Sequence, residues 1–545
     1  MPIASPPVPA ENRYTRDRAL QTLLERFVSK TAMAWADPVL TEMGRLSASV
    51  IPPLSELADR HGPVLRPRDA EGNDTGHIEY HPAYERMRHL SYGQGLVGAY
   101  YDPAVRATLG EGLETVKFAQ GYLFAQAEQG QYCPVCMTDG TAYLIERYGS
   151  AEQKSRFLPR LCSRDPETLW EGAMWLTEKA GGSDVGATET IALPQGSRWL
   201  LVGEKWFCSN ASAEVAMVLG RPRGAVAGTR GLSLFVLRRH TQEGLLNGQR
   251  LVRLKEKLGT RTMPTAEIEL LGAEGELVGD EAHGFVQMTD MLNLSRLYNS
   301  VAALALTRRV LDESVDWCRR RSAFGQPISE YPMVRATLAE MACELEAAMH
   351  LVFYTTAMRG RFLAGTSTPE DRLLLRLLTP LAKYSTARMA VRASSEACEL
   401  HGGNGYVEEQ VVARFYRDAQ VLPIWEGTTN ILVLDAMRSV HKNGAHVALF
   451  RLLRENGQEE SACELEEALE ALIADRNATN EMLRPWCDAT VVATQLALLT
   501  AAAKDDRTRL VTEQYRLRHT DPRRHGLRPP HLAHGTRVLE QILGR

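Results

Sequence analysis

No stretch of the 545-residue chain reaches the roughly 20 consecutive apolar residues of a membrane span. Neither charge is in large excess. The 63 Lys/Arg against 67 Asp/Glu leave −4, which gives the surface as a whole no draw toward nucleic acid or lipid. Paired cysteines are almost missing: the nine present are scattered and odd in number, which argues against a disulfide framework and suits a reducing compartment. Cys133-Pro-Val-Cys136 is the one close pair. No second Cys/His pair stands at zinc spacing, so no metal site is expected. The opening M-P-I-A-S-P-P-V-P-A has no basic or apolar block of a secretory signal, and a cytoplasmic protein is expected. Internal repeats and long low-complexity segments are lacking too.

What is present is enough chain for three or four domains at about 150 residues each. Residues 1–169 read as a proline-rich arm and a helical domain. Arg66 to Gly76 is an exposed turn region, and Leu113, Val116, Ala119, Tyr122 and Leu123 recur at helical spacing. Ser150 starts a second helix after the stop at Gly149. Residues 170–282 change character: apolar runs at 199–208, 215–220, 231–237 and 266–271 alternate with turns, the pattern of a small β domain. Residues 283–445 read as a helical bundle, with Leu374, Leu377, Leu378 and Leu381 on one stripe and an end expected by Gly402-Gly403. Residues 446–545 add a further helical domain, an acidic run and then a basic tail. The fold class expected is mainly α with a central β domain.

The stretch richest in chemistry is V-L-P-I-W-E-G-T-T-N-I, 421–431. A carboxylate between a large aromatic and a glycine suits a base in a desolvated pocket, with the following Gly-Thr-Thr-Asn capping a helix and reaching a ligand. By itself Glu426 also fits an acid that merely precedes a capped helix.

Segments elsewhere weigh on that choice. They are Y-G-S-A-E-Q-K-S-R-F-L-P-R-L (148–161), W-L-T-E-K-A-G-G-S-D-V (175–185), E-K-W-F-C-S-N (204–210), R-S-A-F-G-Q-P-I (321–328), and H-G-G-N-G-Y (401–406) followed by R-D-A-Q-V-L-P-I-W-E-G-T-T-N-I (417–431). In this order they resemble the acyl-CoA dehydrogenase flavoproteins over most of residues 90–442. The resemblance implies a helical domain, a β domain and a helical bundle around FAD, with an acyl thioester as substrate. It implies flavin contacts from Met174, Trp175, Leu176, Thr177, Gly181, Gly182 and Ser183, and from Phe207, Cys208 and Ser209. W-F-C-S-N is one residue longer than the commoner W-I-T-N, which leaves open which side chain makes the last contact.

Arg321 matches the arginine that pairs with the pyrophosphate, and Phe324 lies toward the adenosine end. Gly402 and Gly403 match the phosphate turn, and Gly427, Thr428, Thr429 and Asn430 a further flavin contact. Glu426 matches the catalytic base, and Ser183, Arg296 and Trp425 fall on the substrate side. Ser295 stands where some members place a carboxylate base, and Pro332 where many place a flavin-contacting glutamine. The family also implies a homotetramer, a dimer of dimers. No electron acceptor is legible.

The length, C-P-V-C-M-T, R-L-K-E-K-L-G-T-R (253–261) and Trp425 resemble the AidB-like, alkylation-response subgroup. There the extra C-terminal domain implies duplex DNA as a partner. From Lys504 onward ten Lys/Arg face five Asp/Glu. Arg516, Arg518, Arg523, Arg524 and Arg528 are candidate phosphate contacts. The alternative is a tail packed on the acidic 459–470 helix or on another subunit.

Overall fold

The computed structural model describes residues 11–474, 479–520 and 541. By contact the chain divides into two compact units, each built from separated segments. Met1–Ala48, Ala107–Gln126 and Asn299–Arg545 form a helical unit, and Ser49–Arg106 with Ala127–Tyr298 form a sheet unit. The long helix Gly284–Arg320 runs through the boundary.

The sheet unit is organised by seven strands. Those expected from the sequence are Arg198–Ser209, Val215–Pro222, Ser233–Arg238 and Thr265–Leu277. Gly172–Trp175, Ile191–Gln195 and Gln249–Leu254 are too short or too charged to stand out. Val215–Pro222 pairs with Ile191–Gln195 and also with Ser233–Arg238, so the pairings close on themselves. This ring of five strands encloses a core of Ala192, Leu201, Phe235, Ile268 and Leu270, while Gly172–Trp175 and Gln249–Leu254 each pair along one side only. Residues 66–76, expected as a turn, belong to the hairpin Val64–Arg68/Asp74–Glu79, with Asp69 accepting the Asn73 N–H at its tip.

In the helical unit, Leu113–Ala125 is buried on every side rather than along a stripe. Its Glu114 is paired with Lys117 and with Arg359 at 2.7 Å, so the buried carboxylate is met by two cations. Leu374, Leu377, Leu378 and Leu381 are buried on the helix Pro369–Leu400, which is capped by His401 just ahead of Gly402. Thr368 and Asp371 form a capping box at its start. The C-terminal helices are Glu459–Ala474, Thr479–Ala502 and Asp506–Thr520. Among the described residues no helix is long and apolar enough to cross a membrane.

Candidate active site

In the sheet unit the strand Gly172–Trp175 delivers its successors to an exposed loop. Trp175 is buried and donates its indole N–H to the Ser209 carbonyl at 3.3 Å. Met174, Leu176 and Thr177 are half-buried, and Gly181, Gly182 and Ser183 are exposed. A Cβ at Gly182 would meet the Thr177 hydroxyl at 2.9 Å, so this position takes no side chain without moving Thr177. The Trp206 N–H donates to the Thr177 carbonyl at 2.9 Å, which ties the loop to the strand Arg198–Ser209.

That strand carries a bulge. Lys205 is opposite Ile268 and Cys208 opposite Ala266, so Trp206 and Phe207 together face Glu267. The two-for-one pairing accommodates an extra residue and turns both Lys205 and Cys208 inward, although they are three apart. Cys208 is sealed in the core, which leaves its thiol no outward face. Phe207 is 56% exposed and is the outward aromatic. The Lys255 ammonium lies 3.4 Å from the Trp206 ring centroid. Arg296 is buried and donates to Asn293 Oδ1 at 3.0 Å, and Ser295 accepts from the Cys136 thiol at 3.4 Å.

Two residues that the sequence reading passed over organise these segments. Glu178, second in T-E-K-A-G-G-S-D, is buried and holds Lys205 Nζ at 2.6 Å. Burial pushes its carboxyl up, but Lys205 and its hydrogen bonds outweigh this and hold it below the usual carboxylate range. Counting by twos from buried Leu201 places Lys205 inward, a signal available in the sequence.

Immediately before the strand Gly172–Trp175 the Glu171 N–H donates to Glu214 Oε2 at 2.6 Å, and Asn210 Nδ2 donates to Glu171 Oε2 at 2.9 Å. Burial, with Glu171 beside it, pushes the Glu214 carboxyl up to about 7 from 4.5. A raised acid keeps its proton longer when folded, so its contribution is fullest below the unfolded value and is lost as pH rises from 4.5 to about 7. Glu214→Gln is expected to gain about 2 kcal/mol over the parent between pH 5 and pH 8, read by denaturant unfolding at both.

In the helical unit Glu426 ends a turn, 421–426, braced by the Asn299 amide donating to the Leu422 carbonyl at 3.1 Å. Its backbone is left-handed, φ 58, and Gly427 follows at φ 104. A glutamate in that region is held there by its surroundings, at a cost of about 1–3 kcal/mol. The holding contact is visible: fully buried Lys383 donates from Nζ to the Gly427 carbonyl at 2.7 Å. Glu426 is half-buried, with Oε2 sealed from solvent. Trp425 Nε1 is sealed too and has no hydrogen-bond partner among the described residues. Thr428 is the N-cap of Thr429–Asn443, but its hydroxyl takes none of the helix N–H groups, which leaves them for another acceptor.

Arg321 is exposed at the end of Gly284–Arg320. Phe324 and Gly325, φ 52 and 94, form the tip of the hairpin that follows, with the Phe324 side chain 98% exposed. The Tyr331 hydroxyl supports that tip by donating to the Ala323 carbonyl at 2.8 Å. Trp317 stacks on His401 at 5.0 Å, which brings the turn of Gly402 and Gly403 to the last turns of the helix that Arg321 follows. A Cβ at either glycine would meet nothing within 4 Å, so their backbone is open to a ligand. Within the helical unit, guanidinium, open glycine backbone and an uncovered aromatic fit the phosphates and adenine of FAD, and the uncapped helix start fits a polar edge.

Of the arginines considered for DNA, Arg516 is exposed. Arg518 is engaged by Glu340 and by Glu344 at 2.9 Å, so its charge is met within the chain. The partner is the helix Pro332–Ala364, not the acidic 459–470 helix. Arg523, Arg524 and Arg528 lie outside the described residues.

Fold and site define a flavin-dependent dehydrogenase, and comparison with known proteins agrees. The acyl-CoA dehydrogenase middle-domain and C-terminal-domain models match residues 173–272 and 282–441. The chain belongs to the acyl-CoA dehydrogenase family, whose members are FAD-dependent oxidoreductases. Its resemblance is more specific. The model of the adaptive response protein AidB N-terminal domain matches residues 4–167. The putative acyl-CoA dehydrogenase AidB of Escherichia coli is 31% identical over 449 residues, 80% of each chain. Acyl-CoA dehydrogenase family member 11 of Caenorhabditis elegans is 35% identical over 436 residues, 78% of this chain and 70% of that one. The crystal structure of C. elegans ACDH-11 in complex with C11-CoA aligns at TM-score 0.87 and 30% identity, over 99% of this chain and 96% of that one.

Proposed function

We propose that the chain dehydrogenates an acyl-CoA between Cα and Cβ, with Glu426 as the base. The observation that carries this is the Glu426 backbone, a strained left-handed glutamate held by a buried lysine at the open start of a helix. Such strain is kept where a side chain must be aimed, and a simple cap acid has no use for it. Bound FAD supplies the hydride acceptor for the β-carbon. The protein's part is to hold the thioester, receive the α-proton on the Glu426 carboxylate and keep water away from it. The relative solved with C11-CoA supports a thioester as ligand. Trp425, larger than the tyrosine common at this position, forms a wall of the acyl site and selects among chains. The test is anaerobic addition of acyl-CoAs to the FAD-loaded protein, with bleaching of the flavin as the expected result.

Assembly as a homotetramer fits the uncovered Phe324 and Tyr406, 98% and 93% exposed. Contact with duplex DNA is a separate proposal, to which the described residues contribute Arg516.

A further inference from the structure

Glu178 lies within the loop that reaches for the flavin, yet its carboxylate points into the protein. It accepts the backbone N–H of Glu189 at 2.6 Å and of Thr190 at 3.3 Å, the Thr190 hydroxyl at 2.6 Å and Lys205 Nζ at 2.6 Å. Lys205 is fully buried and also donates to the Leu219 carbonyl at 3.0 Å. One carboxylate therefore fastens both ends of the exposed loop to the strand Arg198–Ser209, and through Lys205 to Val215–Pro222. The approach is close: a Cβ on Gly203 would lie 2.8 Å from the Thr190 Cα. On one side of this fastening stands Thr177, and on the other the Trp206–Phe207 bulge, bonded to it through the Trp206 N–H.

A buried ion pair of this kind is poor value as a stabiliser, because removing two charges from water offsets most of their attraction. Apolar residues of similar volume often serve stability as well or better. What an apolar pair cannot supply is direction. Five directed contacts at Glu178 and Lys205 specify one placement of the loop against the bulge, where greasy contacts would allow several.

We propose that Glu178 and Lys205 are positioning residues of the flavin site, setting the Thr177 loop against the Phe207 bulge and thereby the affinity and electronic environment of FAD. The inference rests on the reading that these two segments face the flavin. It assigns the pair to cofactor placement rather than to the stability of the chain.

The experiment compares Glu178→Asp, Lys205→Met and the double variant Glu178→Gln/Lys205→Met with the parent protein. It reads the melting temperature of the apoprotein, FAD affinity by flavin fluorescence, and the visible circular dichroism of bound flavin. Lys205→Met leaves a buried carboxylate without its cation and is expected to lower both melting temperature and affinity. The double variant removes both charges and is expected to melt within a few degrees of the parent. Its FAD affinity is expected to stay at least about tenfold weaker, with altered dichroism. Glu178→Asp keeps the charge but shortens the reach, and is expected to shift affinity and dichroism more than melting. Parental affinity and dichroism in the double variant, or in Glu178→Asp, would overturn the proposal and leave the pair a structural one. A parent that holds no FAD would instead sink the flavin reading itself, so the two failures are distinguishable.

Discussion

Glu426→Gln keeps the flavin and loses the chemistry. Glutamine has the same shape and tolerates the same left-handed backbone about as well, so the turn, the Lys383 contact and the helix start at Thr429 remain. Its amide cannot take a proton at neutral pH. Flavin reduction by a bound acyl-CoA is expected to slow by about a thousandfold or more, with FAD content unchanged. Stopped-flow absorbance under nitrogen measures it. A variant reduced at the parental rate would place the base elsewhere. The neighbour of Arg296, a carboxylate in some members, is here Ser295, which cannot substitute.

Lys383→Met tests how that carboxylate is aimed. The lysine is fully buried, and its ammonium holds the Gly427 carbonyl across a sequence separation of 44 residues. Without it two consecutive positive-φ residues, Glu426 and Gly427, lose the contact that balances their strain. Methionine matches the lysine stem in bulk, so the fold is expected to survive. A carboxylate displaced by about 1 Å is expected to lower kcat by about a hundredfold, with KM for the acyl-CoA and FAD affinity within about threefold. A rise in KM at constant kcat would mean that Lys383 serves substrate binding instead.

The residues show which parts of this were legible in advance. Local chemistry read well: Ser150 caps its helix with Gln153 in a capping box, and the strands near 199, 215, 231 and 266 fall where alternation placed them. The motif segments gave the family and pointed to Glu426. What stayed hidden depends on partners distant in sequence. Lys383 is an ordinary helix lysine until the fold sets it under Gly427. Arg518 reads as a free phosphate contact until Glu340 and Glu344 engage it. The bulge at Trp206–Phe207 follows from pairing with Glu267 on another strand, and it decides that Cys208 faces the core while Phe207 faces out. Glu178 was in view within a glycine-rich loop, but only its burial beside Lys205 distinguishes it from a solvent-facing acid.

The claim that an acyl thioester is oxidised on this flavin is tested most directly by one titration. The FAD-loaded protein is mixed anaerobically with saturated acyl-CoAs of increasing chain length while the visible flavin band is followed. The account predicts that at least one of them bleaches the band in stoichiometric amount and leaves the corresponding 2-enoyl-CoA. A protein that chemical reductant bleaches fully, but that no acyl-CoA of any length reduces, would contradict it.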